Sequence, residues 1–243
     1  MDQQTKQALK HDQFIDTTQH GIEWASENRH TVIVASSILL ALIILVVGSF
    51  VIYNNRSNAA SVAFGAAMQE YQTPVAQSGQ PVPPGVKTYP DVAARAKAAN
   101  QLFMAAADKY SMTPDGKTAR YFGALTYLEA GNNASAESTL KQVGDGWNNE
   151  LASLAKLSLA NLYRQTGRDP QAIDLYNEIT AKPTTSVPAG LAQLQLAELY
   201  ESQGKPEEAK KIYAKLKDKD SKSAAGMLAA QKLNPSATPA VPQ

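Results

Sequence analysis

Uncharged apolar residues dominate one stretch of the chain, from Thr31 to Tyr53. It has 23 residues, and fifteen of them are Leu, Ile, Val or Phe. Each such side chain favours insertion by roughly 0.3–0.6 kcal/mol at the bilayer centre. At about 1.5 Å per residue, the helix extends roughly 34 Å, which crosses the hydrocarbon core with modest tilt. The pattern therefore predicts a transmembrane helix over residues 31–53.

A cleaved signal peptide and a buried core helix share this apolar pattern. The run is too long for the apolar region of a signal peptide, and about 30 mostly polar residues precede it. We therefore expect a retained anchor. Charge does not set its orientation, because one basic residue lies near each end, Arg29 and Arg56.

Beyond the apolar run, a ladder of small residues and tyrosines occurs three times, at spacings of 36 and then 37 residues. Its copies are Ala124, Tyr127, Gly131, Ala136 and Leu140; Ala160, Tyr163, Gly167, Ala172 and Tyr176; and Ala197, Tyr200, Gly204, Ala209 and Tyr213. A fixed period of this size indicates helical hairpins that bury their apolar faces only by stacking. We expect the alanines at the helix crossings, so Ala172→Leu should overpack the second hairpin.

Glycine and proline predict the ends of these helices. Each first helix is expected to end at the ladder glycine, which adopts the left-handed conformation without a Cβ clash. In the second hairpin, Asp169 is expected as the N-cap and Pro170 as the first helical residue. In the third, Pro206 should begin the second helix.

The fold class is therefore all-α: a single N-terminal transmembrane helix followed by an α-solenoid of helical hairpins. Asp91 is expected to cap a helix at 91–110, which forms a degenerate pair with a helix at 58–72. The predicted segments are a polar stretch 1–30, the transmembrane helix 31–53, the degenerate pair 54–116 split by a Pro-rich loop 73–90, three repeats 117–220, a capping helix 221–233 and a disordered tail 234–243.

Composition argues against catalysis. The formal net charge of the 243 residues is +1, which gives no electrostatic reason to expect a nucleic-acid partner. Cysteine is absent, and the three histidines, His11, His20 and His30, all precede the apolar run. The repeats thus lack the commonest general base and metal ligand. We expect no enzyme activity, no cofactor, no metal and no small-molecule substrate.

A protein-binding face is expected on the first helices of the hairpins, which line the concave side of such stacks. Its mixture of apolar and polar groups suits an extended or helical polypeptide. Alternatively, several of these side chains pack between units. Trp147, at a turn between units, is expected to be a structural plug rather than a binding residue. The face comprises Tyr121, Leu125, Leu128, Leu157, Asn161, Arg164, Leu194, Glu198 and Glu201.

The ladder resembles the tetratricopeptide repeat, in its small residue, the tyrosine three positions later, the glycine, the second alanine and the following aromatic residue. The resemblance covers residues 117–217 well and 58–110 poorly. The units are two or three residues longer than the standard repeat. Its usual final proline is matched only approximately, by Pro183 in the second copy.

The whole arrangement resembles the bacterial ancillary subunit of the SecYEG translocon. The segment from Leu140 to Tyr176 is similar to that family, most clearly at the Gly-Asp-Gly-Trp sequence that ends at Trp147. The resemblance implies an inner-membrane protein with a cytoplasmic N-terminus and a periplasmic C-terminal domain. Its implied partners are translocon subunits, periplasmic chaperones or client polypeptides, and its implied role is that of a chaperone-like adaptor. The alternative is a structural accessory subunit of another membrane complex, with the repeats as an assembly platform.

Overall fold

A computed structural model describes residues 24–76 and 85–234. Apart from one isolated bridge between Val75 and Tyr89, these residues form helices and connecting turns. The expected disordered tail lies outside the described residues, apart from Asn234. The helices are α1 (Arg29–Tyr71), α2 (Val92–Lys109), α3 (Pro114–Glu129), α4 (Asn133–Gly144), α5 (Asn149–Gln165), α6 (Asp169–Ala181), α7 (Ala189–Ser202), α8 (Pro206–Lys219) and α9 (Ala224–Leu233).

Helix α1 contains the apolar run. Within the described residues it is the helix whose length and composition suit a membrane span. The chain divides into compact units at residues 1–55 and 56–243. In the first unit, the large apolar side chains of the run, such as Leu45 and Phe50, are exposed. Exposure of so much apolar surface is unfavourable in water and favourable in lipid, so α1 is a candidate single span.

Aromatic side chains join the last part of α1 to α2 and α3. Phe64 lies 5.8 Å from Phe103 and 5.7 Å from Phe122, measured between ring centroids. Phe103 and Phe122 stack at 5.5 Å. The expected pair of helices is therefore part of a three-helix core that includes the first helix of the first repeat. Buried Asn100 strengthens the α2–α3 contact by donating to the carbonyl of Gly123 at 2.8 Å.

Backbone and side-chain bonds close the base of the Pro-rich loop. The amide of Ala76 donates to the carbonyl of Tyr89 at 2.8 Å, and the amide of Tyr89 donates to Pro74 at 3.0 Å. Glu70 accepts hydrogen bonds from Lys87, at 2.6 Å, and from the hydroxyl of Tyr89. These bonds lower the pKa of Glu70. The two ends of the loop are thus held beside α1, while residues 77–84 lie outside the described part of the chain.

The three hairpins are α3/α4, α5/α6 and α7/α8, and α9 packs on the last one through Ala225, Ala229 and Leu233. The alanine register is confirmed by burial. Exposure is 1% or less at Ala124, Ala136, Ala160, Ala172, Ala197 and Ala209. Such small side chains allow the two helices of a hairpin to approach closely.

The glycine prediction is also confirmed. Gly131, Gly167 and Gly204 have φ values of 75°, 71° and 71°. In each copy the next residue donates its amide hydrogen to the carbonyl of the ladder tyrosine, at 2.8–2.9 Å. The glycine amide donates to the carbonyl one residue after that tyrosine. This is the Schellman pattern, which satisfies the last carbonyls of each first helix.

Some predicted helix starts are displaced. Asp169 is not the N-cap of α6 but its first residue, while Arg168 occupies the cap without a side-chain bond. The carboxylate of Asp169 accepts instead from Gln203, at 2.8 Å, in the next unit. Helix α3 begins at Pro114, capped by Thr113. Helix α9 begins at Ala224 rather than residue 221, because the Ser223 hydroxyl caps it.

Candidate protein-binding face of the first helices

The nominated side chains lie on α3, α5 and α7, the first helices of the three hairpins, and we call them the first-helix row. Three come from each helix. Leu194 is buried, Glu201 is exposed and the others are intermediate.

Contacts across the row connect each first helix to the next. The hydroxyls of Tyr121 and Ser158 lie 3.2 Å apart, between α3 and α5. Arg164 on α5 donates to Gln195 at 3.4 Å and forms a 3.7 Å ion pair with Glu198, both on α7. These long, partly exposed polar contacts are weak, of the order of 0–1 kcal/mol each.

The α9 end of the row has a similar contact. Lys232 on α9 lies 3.2 Å from the carboxylate of Glu201 on α7, and both side chains are well exposed. Because water screens such a pair, a partner can replace it at little cost.

Two tyrosines from the second helices reach the row from behind. The Tyr176 hydroxyl donates to Asn161 Oδ1 at 2.7 Å, and burial raises the pKa of Tyr176. Burial also raises the pKa of Tyr213, with further contributions from Glu201 and Glu198. Both phenols are therefore neutral near pH 7. Asn161 is held by Tyr176, so its carbonyl oxygen is already engaged.

The leucines of the row differ in their roles. Leu194 is 7% exposed and packs in a core cluster with Ala197 and Tyr213. This cluster belongs to the third hairpin and α9, so Leu194 packs within its own unit and against the final helix. Leu128 and Leu157 are partly buried against the main core, and each leaves part of its surface exposed.

A family comparison bears on what this row does. The sequence model of the tetratricopeptide repeat-like domain family matches residues 23–235 of this chain. The chain belongs to this family. Stacked repeats of this kind are protein-interaction scaffolds that present extended surfaces, and they are not typically catalytic.

Solved structures support the same fold. Two crystal structures of the nearly identical TPR-like repeats of a kinesin light chain from Podosopora anserina are similar to this repeat protein. Each is 16% identical and has a TM-score of 0.52, covering 73% of this chain and 84% of its own. At this identity the likeness concerns fold alone. Among curated proteins, no sequence matches this chain.

An ionic cluster that sequence reasoning missed lies between the first two repeats. Glu137 on α4 contacts Lys141 at 2.8 Å and Arg168 at 2.7 Å, and it accepts from the Tyr163 hydroxyl at 3.1 Å. The Arg168 guanidinium also lies 4.3 Å from the Tyr163 ring centroid. These hydrogen bonds, that from Lys141 foremost, lower the pKa of Glu137 to about 2. The cluster is structural, because it ties α4 to the turn after α5.

Metal binding has no support in residues 24–76 and 85–234, where no group of three or more His, Asp or Glu side chains could hold an ion. In the repeats themselves, the ladder positions carry only Ala, Gly, Leu and Tyr.

Trp147 contradicts its predicted role as a plug. Its side chain is 98% exposed, in the turn between α4 and α5. The turn is shaped instead by backbone bonds, including one from the amide of Gly146 to the carbonyl of Val143 at 3.0 Å. Sequence position showed that Trp147 lies in a turn, but it could not show whether neighbouring helices cover the ring.

Proposed function

We propose that this chain is a membrane-anchored interaction scaffold that acts as a chaperone-like adaptor at the protein-export translocon. In this proposal α1 spans the bacterial inner membrane, the N-terminus is cytoplasmic and the repeats are periplasmic. The partners are translocon subunits, periplasmic chaperones or client polypeptides. The main observation in support of this proposal is that tetratricopeptide-like repeats follow an exposed apolar helix in one chain. The resemblance to the ancillary translocon subunit supplies the specific partners.

The first-helix row is the proposed binding face. Its polar groups form weak cross-helix contacts that a polypeptide can replace with its own carbonyls, amides and charges. Leu157 and Leu128 add apolar surface between them. We expect an extended or helical segment to bind along α3, α5 and α7.

Crosslinking in intact membranes tests this proposal. A photoreactive amino acid replaces Leu157 or Glu201 in the row, and Lys211, which is exposed on α8, serves as the control site. We expect crosslinks to translocon subunits or periplasmic chaperones from the row and not from the control. If the two sets of sites give the same products, the row is not the binding face.

A structural accessory subunit of another membrane complex is the second candidate. It is favoured by the burial of Leu194 and by the intramolecular ion pairs of Arg164 with Glu198 and of Glu201 with Lys232. Copurification of the full chain in mild detergent separates the two candidates, since translocon subunits support the first and a different membrane complex supports the second. Comparison with residues 54–243 then shows which part of the chain binds. Binding retained by residues 54–243 supports recognition by the repeats. Binding only by the full chain supports anchoring through α1.

A further inference from the structure

The exposed tryptophan lies beside a small cleft. The cavity has a volume of about 220 Å³. Its lining includes Lys117, Arg120, Gln142, Val143, Trp147 and Leu151, which we call the Trp147 cleft. Small-molecule sites usually have volumes of about 300–1,000 Å³, so this cleft suits one side chain of a larger partner.

The repeat provides an internal control for the role of Trp147. The second hairpin has a corresponding cleft of about 170 Å³, lined by Lys156, Glu178, Ile179 and Pro183. These residues follow Arg120, Gln142, Val143 and Trp147 by 36 positions each. The cleft therefore forms with proline in place of tryptophan, which shows that the indole is not needed to build it.

Charge also differs between the two clefts. Glu178 forms an ion pair with Lys156 in the second cleft, whereas the corresponding Gln142 accepts from Arg120 at 3.3 Å in the first. The charged residues lining the first cleft are thus both cations. Arg120 pairs with Asp108 at 2.8 Å outside the cleft. Lys117 has no ion pair within the described part of the chain.

We propose that the Trp147 cleft binds a polypeptide segment in which an acidic residue adjoins a large aliphatic or aromatic residue. The apolar residue packs on the indole and enters the cleft, and the carboxylate pairs with Lys117. Tryptophan is enriched among residues that dominate protein interfaces, because it buries a large apolar area when covered. This surface differs from the first-helix row and does not depend on the translocon assignment.

Selection of displayed random peptides on the full chain in detergent tests the proposal. Trp147→Ala serves for counter-selection, and circular dichroism confirms that it folds. We expect the enriched peptides to carry Asp or Glu next to Leu, Ile, Phe or Trp. Their affinity should fall at least about tenfold in Trp147→Ala. Equal enrichment on both proteins, or no acidic preference, overturns the proposal.

Charge variants make the test specific to the cleft. Gln142→Glu introduces the carboxylate that the second cleft already has. This variant should lower the affinity for the acidic peptides by up to about fivefold. Lys117→Glu should remove the acidic preference. Pro183→Ala and the row variant Arg164→Glu should leave peptide affinity unchanged. If Arg164→Glu reduces this affinity as much as Trp147→Ala does, the peptides bind the row and the cleft proposal fails.

A lipid surface is the competing occupant, because tryptophan also partitions to membrane interfaces. In Trp24→Phe, Trp147 is the only tryptophan. Its fluorescence is measured in bilayer discs with and without brominated phosphatidylcholine. Unquenched emission, with a blue shift on adding a selected peptide, supports the proposal. Strong quenching by the brominated lipid overturns it.

Discussion

At the scale of single residues, two turns of the chain use the same bonding. Before α3, the Thr113 hydroxyl donates to the carbonyl of Tyr110 at 2.8 Å and accepts from the amide of Gly116 at 3.1 Å. Before α9, Ser223 makes the corresponding bonds, to Asp220 at 2.9 Å and from Gly226 at 3.0 Å. Each hydroxyl thus closes one helix and caps the next. The glycine is required because its Cα lies against the carbonyl.

Gly116→Ala tests this turn. A Cβ there would lie 1.9 Å from the carbonyl oxygen of Tyr110, so the backbone must shift. We expect the free energy of unfolding to fall by about 1–3 kcal/mol, measured by thermal unfolding with circular dichroism. The control is Gly65→Ala, where a Cβ meets nothing within 4 Å. Equal melting temperatures for the two variants would show that the turn adapts freely.

Ala172→Leu tests packing at the crossing of the second hairpin. Ala172 is fully buried in the main core, whereas Ala134 on α4 is exposed. We expect the free energy of unfolding to fall by about 1–3 kcal/mol in Ala172→Leu and to stay almost unchanged in Ala134→Leu. Thermal unfolding of both variants measures the difference. An unchanged melting curve for Ala172→Leu would contradict the assigned crossing.

At the scale of helices, polar contacts add to apolar stacking between neighbouring units. The Glu137 cluster joins α4 to the turn after α5, the bond from Gln203 to Asp169 joins α6 to the turn after α7, and Arg164 joins α5 to α7. These pairs do not recur at the repeat period, since Glu137 corresponds to Ile173 and Lys210 in the later copies. The hairpins therefore share the same backbone arrangement, but different side chains form the polar contacts between successive units.

Glu137→Gln should remove about 1–3 kcal/mol from the free energy of unfolding. The folded-state pKa of about 2 lies below the ordinary value of 4.5, so the ionised carboxylate stabilises the fold. Its contribution is complete above pH 4.5 and is lost as the pH falls toward 2. Denaturant unfolding across this pH range should show the free energy of unfolding of the wild type falling toward that of Glu137→Gln.

The control for this pH dependence is Glu207→Gln. Glu207 pairs with Lys210 at 2.9 Å, but both side chains are well exposed. We expect a change below about 0.5 kcal/mol at every pH. If the free energies of unfolding of the wild type and Glu137→Gln differ by the same amount at every pH, the proposed ionic role of Glu137 is wrong.

At the scale of the whole chain, α1 serves two different environments. Within α1, residues 31–53 present large apolar side chains outward, while Phe64, Ala67 and Tyr71 contribute to the core of the second unit. The same helix is thus a candidate membrane span in one unit and a packed element in the other. Composition separates these parts, because the apolar run ends at Tyr53 and is followed by Asn54, Asn55 and Arg56.

Replacing both Ile43 and Leu45 by Arg tests the span. Each arginine costs about 2.5–3.5 kcal/mol at the bilayer centre, which offsets much of the gain from the apolar run. We expect the double variant to leave the membrane fraction after alkaline extraction, as followed by immunoblotting. Val62→Arg, an exposed position beyond the run, should remain in that fraction. Retention of the double variant would contradict a spanning α1.

Residue order alone was enough to predict the helical repeat, its buried alanines, the glycine helix ends and the apolar run. The helix ends and the apolar run follow from the local sequence, because backbone preference and hydropathy act over neighbouring residues. The repeat and its buried alanines follow from the 36- and 37-residue spacings, because stacked hairpins bury equivalent positions. Tertiary structure decided that Leu194 packs in the core, that Glu137 pairs with Arg168 and that Trp147 is exposed. Those outcomes depend on contacts between side chains of different helices. The repeat period alone does not predict the distances between such side chains.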